Sequence, residues 1–392
     1  YADNSNGRIS AGGVDFAGYT LGYQRDLTNW YHCVVVVDTD QSSNNDRVKI
    51  YINGIQNSAM SGTCPQSNLA VNSTQTYHIG RRRINSDRYA NIYLADFHLV
   101  DGTAISDTSR TNPSTGATEY VIDEFGEFNN GVWIPKAYSG SYGTNGFRME
   151  FSGTGTSADS SGIGADTSGN NHHHAVTNFT ANDSNMPDSP ENNFCTLNPL
   201  NTNYNRGQVT ISRGNLRFVS GSTVRGFTTG TMKVTGKVYF EVLSRDGNNG
   251  FAGIQNITND AGGSTAGQSL DMYNGTPRID GSAQSGTGTF SDGDIMGVAV
   301  DVDAKSVQFF RNNVSKFSGN YTTDAEYFPF LYDSSGGRSS DNIANFGQDS
   351  SFTGEKTSGS NNAQDDNGQG DFYYAPPSGY LALCSANLPD VT

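Results

Sequence analysis

The apolar residues of this sequence come in short runs of strand length, and turn-forming residues end each run. Cys33–Val37 is an unbroken apolar run, and residues 47–52 alternate with the period of two that a half-buried strand requires. Asn53-Gly54 follows at once and is typical of a tight β-hairpin. No helical period of 3.6 residues competes with these signals. The pattern therefore predicts an all-β chain.

The composition also favours strands and turns over helices. The 39 acidic residues include 8 Glu, which leaves 31 Asp, and Asp favours turns whereas Glu favours helices. Further strands are predicted at residues 77–80, 92–100 and 146–151 in the first half of the chain, and at residues 216–219, 237–243, 251–254, 295–301, 306–311 and 327–331 in the second half.

Two segments of the chain repeat one order of signals. Residues 34–53 and 298–312 each contain an apolar run, then Asp-x-Asp, a turn, an alternating strand and an Asn. We therefore expect the same hairpin in both halves. A polar stretch over residues 153–193 places a domain boundary near Asn193. The prediction is two tandem antiparallel β-sandwiches, residues 1–193 and 194–392, with a long exposed loop at 355–370.

The charge and the cysteines limit the classes of partner. A net charge of -15 disfavours binding to nucleic acid and to anionic lipid, and no apolar run approaches the roughly 20 residues that span a bilayer. We expect neither nucleic-acid binding nor membrane insertion. The four cysteines form no Cys-x-x-Cys pair and are predicted to be mostly buried thiols, with a Cys33–Cys64 or Cys195–Cys384 disulfide left open.

The sequence lacks the motifs of the common hydrolases. It contains no Glu-x-Asp-x-Glu of a sandwich glucanase, no nucleophile elbow, no phosphate-binding loop and no His-Glu-x-x-His. The acidic group Asp123, Glu124 and Glu127 does not fall on one face of a strand, so we expect a solvated loop there. We predict that the chain is not an enzyme.

One segment has the composition of a calcium-binding turn. Asp166 and Asn170 flank Thr-Ser-Gly, and oxygen side chains around a Gly turn suit a hard cation. The alternative is an Asx turn that caps a strand. The neighbouring triplet 172–174 consists of three His and is expected in an exposed loop. Apart from this possible calcium ion, no cofactor is predicted.

Aromatic and Arg side chains near turns are the candidate ligand-binding residues. Sugar rings stack on aromatic faces, and polar side chains bind their hydroxyls. Trp133, Tyr138 and Tyr142 lie close together in one Gly- and Ser-rich segment, and Arg81 and Arg82 follow a short predicted strand. For Trp133 the alternative is packing in the core or at a sheet edge.

Five motifs mark the first half of the chain: Trp-Tyr-His at 30–32, Arg-Val-Lys-Ile-Tyr-Ile-Asn-Gly at 47–54, Tyr-His-Ile-Gly-Arg at 77–81, Tyr-Leu-Ala-Asp-Phe at 93–97 and Gly-Val-Trp-Ile-Pro-Lys at 131–136. Over about residues 30–193 the chain thereby resembles a concanavalin A-like, laminin-G-type sandwich found in marine phage structural proteins. Family members usually carry further strands before the first of these motifs, whereas 29 residues precede Trp30, so the resemblance implies a first domain without some N-terminal strands.

Five further motifs mark the second half: Gly-Lys-Val-Tyr-Phe-Glu-Val at 236–242, Gly-Phe-Ala-Gly-Ile at 250–254, Gly-Asp-Ile-Met-Gly-Val-Ala at 293–299, Asn-Phe-Gly-Gln at 345–348 and Pro-Pro-Ser-Gly-Tyr-Leu at 376–381. Over about residues 194–389 the chain thereby resembles a SPRY (B30.2-like) domain. SPRY domains generally bind through variable loops at one end of the sandwich and catalyse nothing, so the resemblance implies a recognition surface.

The pairing of these two domains resembles large phage fibre or virion-surface proteins. It implies an extracellular, non-enzymatic adhesion or fibre protein that recognises host-surface polysaccharide through sandwich loops. It also implies contacts with other virion proteins and a homo-oligomer, in which weak sites gain effective concentration. One alternative is a purely structural capsid-decoration or filament subunit, and a second is a polysaccharide depolymerase.

Overall fold

The chain is nearly all β-structure and divides into two compact units, Tyr1–Phe179 and Thr180–Thr392. The computed structural model describes residues 2–3, 8–12, 16–21, 24, 29–66, 92–129, 132–153, 155–177, 188–201, 209–221, 226–246, 250–256, 267–333, 339–357 and 363–388. Short 3-10 turns lie at Asn44–Asp46 and Ser385–Asn387. Within these ranges no helix is long and apolar enough to cross a membrane.

The first unit consists of short antiparallel strands. Four sheets are described: β1-β2-β3-β7, β4-β5-β6-β10-β9, β11-β12 and β13-β8. The strands are β1 (Ala2–Asp3), β2 (Arg8–Gly12), β3 (Phe16–Tyr19), β4 (Cys33–Val37), β5 (Val48–Ile52), β6 (Ile55–Gln56), β7 (Ala59–Gly62), β8 (Phe97–Leu99), β9 (Thr108–Thr111), β10 (Thr118–Val121), β11 (Gly126–Asn129), β12 (Val132–Pro135) and β13 (Phe147–Met149).

The second unit is a sandwich of two larger sheets. One sheet has the order β14-β15-β26-β17-β22-β23-β24, with β27 parallel to β17, and the other has the order β16-β25-β18-β19-β20-β21. The strands are β14 (Val209–Ser212), β15 (Arg217–Ser220), β16 (Gly226–Thr229), β17 (Lys237–Asp246), β18 (Phe251–Asn256), β19 (Gly267–Asp271), β20 (Pro277–Ile279), β21 (Ser282–Ala283), β22 (Ile295–Asp301), β23 (Ser306–Arg311), β24 (Val314–Asn320), β25 (Tyr327–Asp333), β26 (Ser340–Asn345) and β27 (Leu381–Ala382).

The hairpin that the sequence repeats occurs in both units. Strands β4 and β5 pair and end at Asn53-Gly54, and β22 and β23 pair and end at Asn312. In the first unit the Asn53 side chain accepts a hydrogen bond from the His32 N–H, and the Asn53 N–H donates to the His32 carbonyl. Asn312 makes the same two bonds to Ile295. The shared Asn therefore closes the end of each hairpin, as its φ above zero allows.

The second unit packs its main core between its two sheets. Large side chains from both sheets are fully buried, among them Phe240, Phe309 and Ile254. A smaller cluster that includes Phe194, Tyr239 and Phe372 lies on the other side of β17, where the segment after β26 covers the sheet. Strand β17 is therefore apolar on both faces, which explains its long apolar run in the sequence.

Glu241 is the polar exception on this buried strand. Its carboxylate is fully buried and accepts hydrogen bonds from the backbone N–H groups of Tyr373 and Tyr374, at 2.9 and 2.8 Å, and from the Asn345 side chain. Burial raises the pKa of Glu241 to about 7, although these bonds and the Tyr239 hydroxyl lower it. Glu241 thus fastens the segment after β26 to the face of the larger sheet.

Most predicted strands match the structure closely. The strands predicted at 295–301 and 306–311 are β22 and β23 to the residue, whereas the strand predicted at 92–100 is confined to β8. The strand predicted at 77–80 lies outside the described residues. All four cysteines are free thiols, and Cys64, Cys195 and Cys384 are buried as predicted while Cys33 is exposed. Neither of the two possible disulfides is present.

One expectation about organisation differs from the structure. The expected boundary near Asn193 falls inside the second unit, because Asn192 donates a hydrogen bond to Gln369 and the Asn193 carbonyl accepts one from Ser385. The loop expected at 355–370 is mostly exposed in its described residues, 355–357 and 363–370, with a buried contact at Asp365. Asp365 is buried there and accepts bonds from the Asn367, Gln369 and Ala382 N–H groups. This part of the loop has no large apolar side chain in its sequence, and the Asp365 carboxylate holds it in place through these hydrogen bonds.

Titration of Glu241 should make stability depend on pH. A carboxyl whose pKa is raised on folding binds its proton more tightly in the folded state, so its contribution is full below the unfolded value and is lost as the pH rises through about 7. We expect the free energy of unfolding of the native chain to fall by about 3 kcal/mol, relative to Glu241→Gln, between pH 4.5 and pH 8. Chemical denaturation across this range measures it. A difference that is constant with pH would contradict the assignment.

Candidate functional site

Six ring side chains of the first unit contact one another in a chain that we call the aromatic array, and Phe128 packs against it at Trp133. His32 stacks on Trp133, with 5.7 Å between ring centroids, and also contacts Phe125. Phe125 stacks on Tyr138 at 4.7 Å, and Tyr138 meets Tyr142 edge-on at 5.2 Å. The members are His32, His98, Phe125, Trp133, Tyr138 and Tyr142, and His98 contacts Phe125, Tyr138 and Tyr142.

Trp133 lies over the turn of the repeated hairpin. A Cβ atom on Gly54 would overlap the Trp133 ring, so the ring sits directly on the backbone of the turn. The Trp133 Nε1–H donates a hydrogen bond to Nδ1 of His32 at 3.1 Å, and Phe128 packs edge-on against the ring. Trp133 remains partly exposed. Trp133 therefore packs against the protein, which was the alternative role given for it in the sequence, and part of its ring surface remains accessible.

Tyr142 belongs to a hydrogen-bonded chain that ends in a carboxylate. Nε2 of His98 lies 3.0 Å from Oδ2 of Asp96, and Nδ1 of the same ring shares a hydrogen bond of 2.7 Å with the Tyr142 hydroxyl. Asp96 also pairs with Arg148 at 2.8 Å, and Arg148 reaches Glu150 at 2.8 Å. The array thus has a polar edge of alternating charge.

The array is uncharged at His32 and Tyr142 near neutral pH. Burial and the nearby His98 lower the pKa of His32 to about 4, and burial raises the pKa of Tyr142 to about 12. Burial alone would raise the pKa of Asp96, but the hydrogen bonds from His98 and Arg148 outweigh it and lower the pKa to about 2. Asp96 is therefore ionised whenever His32 is neutral.

Asp166 and Asn170, predicted as calcium ligands, hold the segment that carries Tyr142. The Asp166 carboxylate accepts hydrogen bonds from the N–H groups of Arg148, Ser168 and His172. These bonds outweigh the effect of burial and lower the pKa of Asp166 to about 2. The Asn170 amide donates to the carbonyls of Gly143 and Gly146, at 2.7 and 2.8 Å. The arrangement is the Asx-type turn that was the alternative to calcium.

The three neighbouring histidines point to different partners. His172 bonds the Thr144 carbonyl through Nε2, His173 accepts the Asp166 N–H at Nδ1, and the His174 ring packs on Phe147. They do not converge. Among the residues with assigned positions, no three His, Cys, Asp or Glu side chains are grouped to hold a metal ion.

The structure brings three of the predicted ligand-binding residues together. Trp133, Tyr138 and Tyr142 all belong to the aromatic array, whereas Arg81 and Arg82 lie outside the described residues. Sequence reasoning missed His32, Asp96 and His98. Asp96 and His98 are two residues apart, and in an extended strand this spacing sets side chains on one face. It was the available signal in the sequence, although Asp96 precedes β8 and has a positive φ. Nothing in the sequence pairs these two residues with Tyr142.

The similarities to known proteins concern the fold. No protein-family model matches the chain, and no curated protein matches it either. Among solved structures, the chain is similar to the SPRY domain of human HERC1, with 15% identity and a TM-score of 0.34 over 39% of this chain and 97% of that one. It is similar to the TRIM65 PSpry domain, with 15% identity and a TM-score of 0.31 over 38% and 91% of the two chains. It also matches 27% of the stonustoxin chain, with 16% identity and a TM-score of 0.31 over 38% of this chain.

The packing of Trp133 against the hairpin turn can be tested by substituting two glycines. Gly54→Ala should destabilise the first unit by about 3 kcal/mol, because it adds a clash with Trp133 to the strain of a positive φ. Gly116→Ala is the control, since Gly116 also has a positive φ but nothing near its Cβ, and should lose only about 1 kcal/mol. Chemical denaturation measures the loss of unfolding free energy in both variants. Equal losses would contradict the packing of Trp133 on Gly54.

Substitutions at Asn170 distinguish the Asx-type turn at Asp166 and Asn170 from a calcium site. Asn170→Asp should destabilise the first unit more than Asn170→Ala, because a carboxylate there would face the carbonyls of Gly143 and Gly146 without a proton to donate. A calcium site would show the reverse order. Thermal unfolding of the native chain should also be the same with calcium and with a chelator. A calcium-dependent rise in Tm would overturn the turn assignment.

Proposed function

We propose that this chain is a non-enzymatic recognition protein that binds polysaccharide through the aromatic array of its first unit. The observation that carries the proposal is a set of partly exposed rings, Trp133, Tyr138 and Tyr142, joined to a polar edge of Asp96, Arg148 and Glu150. Aromatic faces bind the apolar faces of sugar rings, and fixed polar groups beside them bind hydroxyls and set orientation.

The charge around the array favours neutral sugars over acidic ones. Asp96 and Glu150 both pair with the single guanidinium of Arg148, so the polar edge carries an excess of negative charge. The whole chain adds a net charge of -15. A polysaccharide rich in carboxylate or sulfate would be repelled, whereas hydroxyl groups can donate to the same carboxylates.

Two features of the array support rigid binding. The Tyr142 hydroxyl is already bonded to His98, and the carbonyl of Tyr142 accepts the Asp101 N–H at 3.0 Å. The turn at Asp166 and Asn170 fixes the following segment from the other side. Rings that are held before the ligand arrives lose little conformational entropy on binding.

The carboxylates near the array support binding without cleavage. A retaining glycosidase needs one carboxylate free to attack and a second to donate a proton. Arg148 pairs with both Asp96 and Glu150, and Asp96 also accepts from His98, so these two acids have charged or polar partners. Glu124, which is near enough to Tyr138 to raise the pKa of its hydroxyl, has a buried Oε2 without a hydrogen-bond partner, but one such acid does not make the pair that a retaining glycosidase needs. A depolymerase is therefore the weaker alternative.

The wider setting of the proposal is the surface of a phage-like virion. We infer a concanavalin A-like, laminin-G-type first domain and a SPRY-like second domain in an extracellular fibre or adhesion protein that recognises host-surface polysaccharide. We infer that it acts as a homo-oligomer in contact with other virion proteins. A purely structural subunit is the second candidate, and the packing of Tyr138 against the buried Tyr51, Ile122 and Phe125 favours it.

Glycan binding by the full recombinant chain tests the proposal. Tyr142→Ala should lower the affinity for neutral polysaccharide at least tenfold, because it removes one ring and the hydroxyl bonded to His98. Tyr120→Ala is the matched control: Tyr120 lies in the same unit, is half exposed and is outside the array, so binding should not change. Binding to an array of neutral and acidic glycans, with circular dichroism to verify folding, measures the effect.

The outcomes separate the candidates. Loss of binding in Tyr142→Ala alone, with no released sugar in product analysis, supports recognition by the array. Equal binding by all three proteins contradicts it. No binding by the native chain to any glycan would favour the structural subunit, and shortened polysaccharide in the product analysis would favour the depolymerase.

A further inference from the structure

The polar edge of the aromatic array consists of two acids on either side of one Arg. Asp96 accepts two hydrogen bonds from Arg148, from Nε at 2.8 Å and from Nη2 at 3.3 Å. Glu150 pairs with Nη1 of the same guanidinium at 2.8 Å. The side chains of Asp96, Arg148 and Glu150 are 41%, 29% and 35% exposed. All three are therefore accessible from solvent.

The strand pairing brings these groups beside the rings. Strands β8 and β13 are antiparallel, and Arg148 lies opposite His98 in their register. Glu150 is two residues after Arg148, and Asp96 is two residues before His98. The His98 ring stacks on Tyr142, with 5.8 Å between centroids, and Tyr142 is partly exposed. A ligand on this ring therefore reaches the polar edge.

Arg148 keeps hydrogen-bond donors after both ion pairs are made. A guanidinium has one N–H on Nε and two on each Nη. The bonds to Asp96 use the Nε–H and one N–H of Nη2. If Glu150 takes one N–H of Nη1, one N–H on each Nη is left without a bond among the residues that the structure describes. Two donors of one rigid group are thus available side by side.

The two acids keep hydrogen-bond acceptors. Oε1 of Glu150 lies against Arg148 and accepts the Thr167 hydroxyl at 3.2 Å, whereas Oε2 accepts no bond from the described residues. Oδ1 of Asp96 accepts the Arg148 Nε–H. Each carboxylate oxygen can accept about two hydrogen bonds, so both acids can accept a further one. The polar edge therefore offers an acceptor, then two donors, then an acceptor.

We propose that the polar edge binds a vicinal diol, which is a pair of hydroxyl groups on neighbouring carbons of one sugar ring. One hydroxyl donates to Asp96 and the other to Glu150, and each accepts an N–H of Arg148. This proposal rests on the proposed function and names the chemical group that the site recognises. The ligands are neutral glycans whose rings carry two free adjacent hydroxyls.

A hydroxyl is the group that matches each half of this edge. It donates and accepts at once, and its bonds to a carboxylate and to a guanidinium are charge-assisted and stronger than neutral ones. A sulfate or carboxylate has no donor for the two acids, and an ammonium group has no acceptor for Arg148. The two hydroxyls must be neighbours, because the two Nη atoms of Arg148 share one carbon.

Two glucose hexamers test the proposal on the full chain. In the β-1,4-linked hexamer every ring has adjacent free hydroxyls, whereas in the β-1,3-linked hexamer the linkage interrupts them on every ring except at the ends. The 1,4-linked hexamer should bind about tenfold more tightly, because only one hydroxyl of an interior 1,3-linked ring can bind the edge. Isothermal titration calorimetry measures both affinities.

Deoxy sugars test the same point without a change in chain shape. Methyl 3-deoxyglucoside has no two adjacent hydroxyls. Methyl 6-deoxyglucoside has the same number of hydroxyls and keeps them adjacent. The 6-deoxy sugar should compete with the 1,4-linked hexamer, and the 3-deoxy sugar should not.

Glu150→Ala removes one acceptor of the edge and leaves all six rings of the array in place. It should bind the 1,4-linked hexamer about tenfold more weakly and lose the preference over the 1,3-linked hexamer. Asp46→Ala is the matched control: Asp46 is 50% exposed and pairs with Lys49 in the same unit, outside the array, so affinity and preference should not change. Circular dichroism verifies that each variant folds.

The outcomes separate this proposal from the proposed function. Equal binding of the two hexamers overturns the vicinal diol, and so does equal competition by the two deoxy sugars. A chain that binds other neutral glycans but neither hexamer also overturns it, because the 1,4-linked hexamer presents the diol on every ring. Glycan binding that Tyr142→Ala removes and Glu150→Ala leaves unchanged overturns the role of the polar edge and keeps the array. A native chain that binds no glycan overturns the proposed function itself.

Discussion

Backbone N–H groups outside the strand ladders need acceptors, and in this chain carboxylate side chains supply several of those that backbone carbonyls do not. Asp166 accepts three such bonds, Glu241 two and Asp365 three. A buried N–H without a partner costs free energy comparable to a lost hydrogen bond, so the long irregular segments of this protein can be ordered only where an acceptor is available. This constraint explains why Asp outnumbers Glu so strongly.

The same constraint positions the candidate site. Tyr142 lies in an irregular segment, and the turn around Asp166 and Asn170 fixes that segment through hydrogen bonds to backbone N–H groups and carbonyls. Asp166 and Asn170, the candidate calcium ligands of the sequence, therefore hold the segment that carries Tyr142, one of the rings that we propose bind sugar. The Asp166 carboxylate and the Asn170 amide N–H groups bind the backbone of the chain itself, and the polar edge of Asp96 and Arg148 is left beside the rings.

The aromatic array offers a rigid apolar surface with a polar edge. In the proposed homo-oligomer each copy carries one array. Shallow polar sites for sugars are individually weak, and two sites on one particle raise the effective concentration of the second contact.

The sequence by itself determined the strands and turns, because these depend on local chemistry. The alternation of β5, the Asn that closes each repeated hairpin and the bounds of β22 and β23 all follow from neighbouring residues. It also placed Trp133, Tyr138 and Tyr142 as candidates. It did not pair Tyr142 with His98, 44 residues away, or give Asp365 its role as an anchor, because those contacts depend on which segments the fold brings together. Only the tertiary structure decided which N–H groups a given Asp binds, since that depends on the atoms that surround its carboxylate.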